Sequence, residues 1–198
     1  MTNKIKNIEE IKKILNRNKK KEVLCHGTFD LLHLGHINHL SEAKNFGDIL
    51  VVSVTSDKFV NKGPGRPFFT ARQRAEALSA LKQVDYVIIN KDFTSTKLIK
   101  FLKPNIYCKG PDYKDNKKDT TGEIKNEISA TKSIRGKIIY TTGSTFSSSK
   151  LINSFSGNIS KSQKNSISKI NNEYSFSKIK YLIDKLNNLK ALVIGETI

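Results

Sequence analysis

Apolar residues recur along this chain in two alternating rhythms, one of helical and one of strand spacing. Ile5, Ile8, Ile11, Ile14 and Leu15 fall on one stripe and predict an amphipathic helix over Ile5–Leu15. Glu22–His26, a short apolar run after a lysine cluster, has the pattern of a buried strand. Gly35–Phe46 reads as a helix stopped by Gly47. Ile49–Thr55, rich in Val and Ile, is the clearest strand. Thr70 caps a helix running to about Lys82, Tyr86–Ile89 is a strand, and Ser95–Leu102 is a helix that ends before Pro104. Ile106–Lys109 is a further strand. A polar stretch, Asp112–Thr121, then leads to a helix near Gly122–Lys132, a strand at Lys137–Tyr140 and a short helix at Ser147–Phe155.

Strands that alternate with helices at this spacing argue an α/β fold, a doubly wound Rossmann-like parallel sheet with helices on both faces. Ligands of such sheets sit at the carboxyl ends of the strands. The loops after Cys25, Thr55, Lys109 and Tyr140 are therefore the places to search. We divide the chain into an N-terminal helix (1–21), the main α/β domain (22–155), a linker (156–175) and a final segment (176–198). The linker rests on the Ser, Asn and Lys composition of Gly157–Ser175. Beyond it, Ile179, Leu182, Ile183 and Leu186 recover a helical stripe over Phe176–Leu189, and Lys190–Gly195 reads as a strand. This helix and strand are either a tail that docks on the main domain or the start of a second domain near Lys190.

The charge balance adds little to this picture. The 198 residues carry 35 Lys and Arg against 18 Asp and Glu, a net +17. Residues 1–22 and 156–190 carry +5 each, so most of the excess lies in the flanks, and only five of the basic residues are Arg. No aromatic-plus-basic RNA motif or zinc-finger spacing accompanies it, so specific nucleic-acid binding is not expected. No apolar run approaches a bilayer-spanning length, and Met1–Glu10 lacks the apolar stretch of a signal peptide. A cytoplasmic enzyme without a membrane partner is expected. Cys25 and Cys108 are the two cysteines, with no Cys-x-x-Cys, which argues against a disulfide framework and a thiolate zinc site. Both lie in predicted strands and read as buried small hydrophobes.

All four histidines, His26, His33, His36 and His39, fall within fourteen residues across the first strand–loop–helix junction. Gly27 allows an unusual turn after the strand. Gly35 lets a phosphate approach the start of the next helix, where unsatisfied N–H groups and a partial positive charge favour anions. His33 and His36 flank that glycine and can converge on one anion. A zinc site at His33, His36 and His39 is the competing reading, disfavoured because residues 33 and 39 diverge on a continuous helix. His26 and His39 take structural roles, one ending a strand and the other lying a turn into the helix.

The string Gly27-Thr28-Phe29-Asp30-Leu31-Leu32-His33-Leu34-Gly35-His36 resembles the signature of the cytidylyltransferase-like nucleotidyltransferases. Gly143-Ser144-Thr145-Phe146-Ser147-Ser148-Ser149-Lys150 resembles the family's late Ser/Thr-rich loop beside the triphosphate. Lys62-Gly63-Pro64-Gly65-Arg66-Pro67, followed by Gln73-Arg74, resembles its lysine loop and arginine helix. Lys109-Gly110-Pro111-Asp112-Tyr113 resembles the Lys-Gly-Gly-Asp-Tyr of the heptose-phosphate adenylyltransferase branch. Pro111 departs from that branch by replacing its second glycine. The chain also lacks the arginine that glycerol-3-phosphate cytidylyltransferases place before the late loop.

The resemblance implies transfer of a nucleoside monophosphate from an NTP, ATP or CTP, to a phosphorylated sugar or polyol, with release of pyrophosphate. It assigns catalysis to His33, His36 and Lys62. It assigns nucleotide binding to Gly27, Thr28, Phe29, Asp30, Gly35, Arg74, Lys109, Asp112, Ser147, Ser148 and Ser149. Mg²⁺ is expected with the triphosphate, without a dedicated protein metal cage. A homo-oligomer is expected. Lys190-Ala191-Leu192-Val193-Ile194-Gly195-Glu196 is similar to the opening strand of ribokinase-like sugar kinases, so a fused kinase domain is a further expectation. The alternative is a nucleotide-binding module that performs no turnover.

Overall fold

The structure, a computed structural model, describes residues 4–17, 19–60, 65–92, 94–113, 123–142 and 161–186. Contacts divide the chain into two units, Met1–Ser149 and Lys150–Ile198. In the first unit the order is α1 (Ile8–Arg17), β1 (Glu22–Gly27), α2 (Leu34–Lys44), β2 (Ile49–Thr55), α3 (Ala71–Ser79), β3 (Tyr86–Asn90), α4 (Thr96–Leu102), β4 (Ile106–Lys109), α5 (Ile124–Ser133) and β5 (Lys137–Tyr140). The five strands form one parallel sheet in the order β3-β2-β1-β4-β5. The expected doubly wound α/β architecture is the one observed.

Period-2 alternation sorts the strand residues between two cores. Val23, Cys25, Val52, Val54, Ile106 and Cys108 pack with Leu40 and Ala43 of α2 and Ala75 and Leu78 of α3. Leu24, Val51, Ile88 and Tyr107 pack on the other face, with Ile11 and Leu15 of α1, Leu98, Ile99 and Leu102 of α4, and Ala130 of α5. With both faces covered, β2 is buried at every position, which explains its unbroken Val/Ile character. The chain winds outward from β1 to β3 and then crosses through α4 to β4 on the opposite side of β1. That reversal opens a crevice between the carboxyl ends of β1 and β4, the general ligand position of open α/β sheets.

Local signals set most boundaries. Thr70 caps α3 through a reciprocal pair, with Gln73 N donating to Thr70 Oγ1 at 3.3 Å and Thr70 N to Gln73 Oε1 at 3.0 Å. Lys103, in the left-handed region at φ 56°, ends α4 ahead of Pro104. The largest boundary differences from the sequence expectation are at α1 and α3. Helix α1 starts at Ile8 because Asn7 and Glu10 bond reciprocally at 2.8 Å and cap it there. Ile5 is instead extended and bridges Val87 of the edge strand. Helix α3 stops at Ser79, and the chain turns so that Leu81 and Val84 pack into the α2/α3 core.

The second unit departs from the expected linker. Residues Lys161–Glu173 form a helix, α6, followed by α7 at Phe176–Leu186. Ser and Asn lower helix propensity by only a few tenths of a kcal/mol each, and no Pro or Gly interrupts α6. The apolar stripe Tyr181, Leu182, Ile183 and Leu186 of α7 is exposed. The expected helix Ser147–Phe155 and strand Lys190–Gly195 lie outside the described residues.

Gly47, just after α2, tests how tightly this frame is packed. A Cβ there would stand 2.7 Å from the Lys21 carbonyl oxygen and 2.8 Å from Val23 Cγ2, at the entry to the central strand. Gly47→Ala is expected to destabilise the fold by about 1–3 kcal/mol. It should lower the urea midpoint with an unchanged m-value.

Candidate active site

The loop after β1 and the start of α2 build one wall of the crevice. Phe29 occupies the left-handed region at φ 53°. Gly27 serves a different purpose from the expected backbone turn: a Cβ on it would meet the Phe29 ring at 3.1 Å, so its small size seats that ring. His33 is the N-cap of α2, with extended backbone at φ −141° and ψ 173°. Its carbonyl accepts from His36 N at 2.9 Å and Ile37 N at 3.1 Å. Its own N–H donates to His36 Nδ1 at 3.4 Å. That bond makes Nδ1 the acceptor and puts the His36 proton on Nε2. The two imidazoles stack at 3.9 Å and 20°, and the Phe29 ring packs on His36 at 5.3 Å, inclined by 65°. His33, Gly35 and His36 thus meet at the positive end of a helix, as the sequence pattern implied.

Asp30 of the signature string and Arg74 of α3 are buried and bond to the loops around the crevice. Asp30 is buried and accepts from Phe68 N at 2.8 Å, Phe69 N at 3.0 Å and Arg66 Nε at 2.9 Å. Burial alone would raise its pKa, but those two backbone donors and the Arg66 guanidinium outweigh it and hold the carboxyl below its ordinary value. Arg74 is 2% exposed and spends its donors on protein groups. Nη2 reaches Thr55 O at 2.8 Å and Asp57 Oδ1 at 2.6 Å, Nε reaches Phe69 O at 2.9 Å, and Nη1 bonds Thr28 O. Arg74 is therefore a clasp between loops, neither solvated surface nor a cation presented in the crevice. Thr28 contributes its carbonyl to the same clasp.

Lys109 ends β4 across the crevice from Gly27. It is 6% exposed and pairs with Glu127 Oε2 of α5 at 2.8 Å. Glu127 also accepts from Ser95 Oγ at 2.6 Å, and Ser95 Oγ lies 2.7 Å from Tyr107 OH. Burial opposes charge on both partners, yet each holds the other ionised. Lys109 is raised, with Tyr107 and Glu127 as the cause, and Glu127 is lowered by Lys109 and Ser95. Tyr113, in the short turn Pro111–Tyr113, lays its ring 4.1 Å from Lys109 Nζ, and Asp112 beside it is exposed. Sequence reasoning missed Glu127, although its place on the α5 stripe with Ile124 and Thr131 marked it as an inward-facing carboxylate. Arg66 lay in the lysine-loop string but was given no role, and Ser95 and Tyr107 were missed for want of any local signal.

His26 and His39 sit apart from the stacked pair, as structural residues. His26 Nδ1 bonds Ser53 Oγ at 3.0 Å, and burial together with the nearby Lys109 ammonium lowers its pKa to about 4. His39 Nδ1 bonds Thr141 Oγ1 at 2.9 Å, and burial and Lys109 likewise lower it to about 4. The histidines do not form the zinc cluster weighed above. Among the described residues, the one set of three potential ligands is Cys25, His39 and Cys108. Thiols suit Mg²⁺ poorly, and no carboxylate set replaces them, so the described residues do not form a Mg²⁺ cage. A groove of about 560 Å³ lined by Lys12, Lys19, Lys20, Lys21 and Lys103 lies at the amino ends of β1 and β4, away from this chemistry. Lys62, Ser147, Ser148 and Ser149 lie outside the described residues.

Two expectations follow from these buried groups. Arg74→Lys keeps the charge but not the fork geometry, and leaves carbonyls of three segments unpaired at about 1–3 kcal/mol each. Unfolding free energy should fall by roughly 3 kcal/mol in urea titration. The unfolded chain protonates His26 as pH drops through about 6.5, whereas the folded chain resists until about 4. Stability should therefore fall by about 1.4 kcal/mol per unit across that window from this group alone. Urea midpoints between pH 6.5 and 5 should decline less steeply for His26→Gln than for the parent protein.

Comparison with known proteins fits this geometry. The Cytidylyltransferase-like family model matches residues 24–154, the segment that carries the sheet and both halves of the crevice. The bifunctional protein HldE of Campylobacter jejuni strain RM1221 is 48% identical over 114 residues, covering 57% of this chain and 25% of that protein. Its counterpart in Sulfurimonas denitrificans is 43% identical over 138 residues, covering 67% and 29%. The match thus spans little more than a quarter of the length of these relatives. The lipopolysaccharide core biosynthesis protein of Thermoplasma volcanium superposes with a TM-score of 0.53 at 30% identity, covering 64% of this chain and 99% of that one. A pantoate–β-alanine ligase from Francisella tularensis, at 20% identity and a TM-score of 0.55, shares the fold. With the signature histidines stacked at the head of α2 and the family match running through the whole sheet, the chain belongs to the cytidylyltransferase-like family, and its α/β domain is a nucleotidyltransferase domain.

Proposed function

We propose that this domain transfers the nucleoside monophosphate of an NTP to a phosphorylated sugar or polyol and releases pyrophosphate. The observation that carries the reading is the stacked His33–His36 pair at the start of α2, beside the crevice between β1 and β4. An acceptor phosphate oxygen attacks the α-phosphorus in line. The new P–O bond forms as the bond to the β-phosphate bridge breaks, and the electron pair leaves with pyrophosphate. The nucleophile is already anionic, so no covalent enzyme intermediate is needed. The protein's task is to position two polyanions and to offset their charge. His36 Nε2–H, held in one tautomer by the His33 N–H, donates to the phosphates, and His33 acts beside it. Lys62 and the serines 147, 148 and 149 complete the phosphate site, as the family resemblance implies. Mg²⁺ bound with the triphosphate would offset part of the phosphate charge.

The Lys109-Gly110-Pro111-Asp112-Tyr113 segment and the HldE relatives favour ATP as donor and a sugar phosphate as acceptor, for the synthesis of activated sugars. The word bifunctional in the relatives' name supports pairing of this transferase with a second activity. A sugar kinase fits chemically, because it makes the phosphate that the transferase consumes.

The test is pyrophosphate release from a panel of ATP and CTP with sugar and polyol phosphates. Turnover is expected with at least one pair. His33→Ala and His36→Ala should each lower kcat about 10²–10³-fold, with an unchanged circular dichroism spectrum. NTP binding without release from any pair would overturn the enzymatic reading in favour of a binding module.

A further inference from the structure

Cys25 and Cys108 are 83 residues apart in sequence but are direct partners in the parallel register of β1 and β4. Both are fully buried on the face covered by α2. His39, on α2, stands over them, and the two Sγ atoms and one His39 ring nitrogen all lie within 4.8 Å of one another. The orientation of the imidazole is also set. His39 Nδ1 lies 2.9 Å from Thr141 Oγ1, and in the tautomer that carries its proton on Nδ1 this bond leaves the Nε2 lone pair for a metal ion. An imidazole oriented by a hydrogen bond on its other nitrogen is the usual arrangement of a metal-bound histidine. Without His39 the two cysteines would be an ordinary pair of buried thiols.

We propose that Cys25, Cys108 and His39 form a Zn²⁺ site, with solvent in the fourth position. Two sulfurs and one imidazole suit a borderline-soft ion without geometric preference. Tetrahedral Zn²⁺ with bonds of about 2.3 Å to sulfur and about 2.0 Å to nitrogen wants the ligand atoms about 3.5–3.8 Å apart, so a contraction of about 1.3 Å at most completes the set. Each thiol gives its proton to solvent on binding. The two thiolates then match the dication, and the buried assembly is neutral, which removes the main penalty of charge in a core. The ion would join β1, β4 and α2 one turn beyond His36, and so pin the helix whose head carries His33 and His36. This chemistry is independent of the phosphate site: its failure would leave the transferase reading intact, and the reverse holds too.

The test uses the full chain, reduced and stripped with a chelator, and titrates it with Co²⁺ and then Zn²⁺. One equivalent of Co²⁺ should produce a near-ultraviolet thiolate-to-cobalt charge-transfer band with intense visible bands of tetrahedral geometry. Zn²⁺ should bleach both and raise the melting temperature. Cys25→Ala and Cys108→Ala should abolish the charge-transfer band. His39→Gln, close to histidine in size, should weaken binding at least 100-fold, and Thr141→Val about 10–100-fold. These last two variants keep the test valid if a cysteine variant does not fold. The proposal is overturned if no charge-transfer band develops, or if binding persists without the thiols. Loss of binding in His33→Ala rather than in His39→Gln would overturn it as well.

Discussion

A single buried guanidinium, that of Arg74, ties together three of the segments that shape the crevice. It bonds the carbonyls of Thr28 after β1, Thr55 at the end of β2 and Phe69 before α3. Thr28 and Phe69 lie outside the strands and Thr55 is the last residue of β2, so these carbonyls find a donor in the guanidinium where water is excluded. Asp30 adds the complementary anchor by collecting the N–H groups of Phe68 and Phe69 and the Arg66 side chain. One cation and one anion thereby hold the same loop from two sides. The backbone around Phe29, and with it the ring that packs on His36, depends on that pair. Residues of the family motifs thus also hold the loops that shape the site.

The other wall of the crevice is held by a second buried charge system. Lys109 and Glu127 are each under 10% exposed, so the pair bears a desolvation penalty that only close geometry and further hydrogen bonds offset. Ser95 and Tyr107 supply those bonds. A hydrophobic pair of equal volume would serve stability about as well, and its absence points to a role for charge in this place. Burial first, and the Lys109 ammonium second, disfavour the charged form of His26 and His39. Among the described residues, the head of α2 contributes partial positive charge beside the crevice, and the Lys109 charge is matched by Glu127.

How legible the molecule is from its residues depends on the distance between partners. The strands, the helices and their caps lie in the order of the apolar rhythm because each is decided within a few residues. Thr70 with Gln73 and Pro104 after Leu102 are readable signals of this kind. The His33–Gly35–His36 constellation is legible for the same reason, since its geometry is set within one helical turn. Asn7 and Glu10 carried an equally local signal, and it overrides the apolar stripe that would extend α1 back to Ile5.

What the sequence by itself determined is this local layer: an alternating α/β chain, a helix head bearing two histidines, and the family to which that signature points. Tertiary structure alone decided what the remaining polar groups do. Arg74 read as a free cation until its donors met carbonyls up to 46 residues away. Lys109 found a carboxylate 18 residues on, in a helix whose orientation only the sheet defines. The cysteines lacked any motif spacing, yet parallel pairing of β1 with β4 set them side by side, and the packing of α2 laid His39 over them. The physical reason is the same in each case. A buried polar group takes whichever partner the sheet order brings within hydrogen-bond reach, and strand order is a property of the whole chain that no short stretch of it encodes.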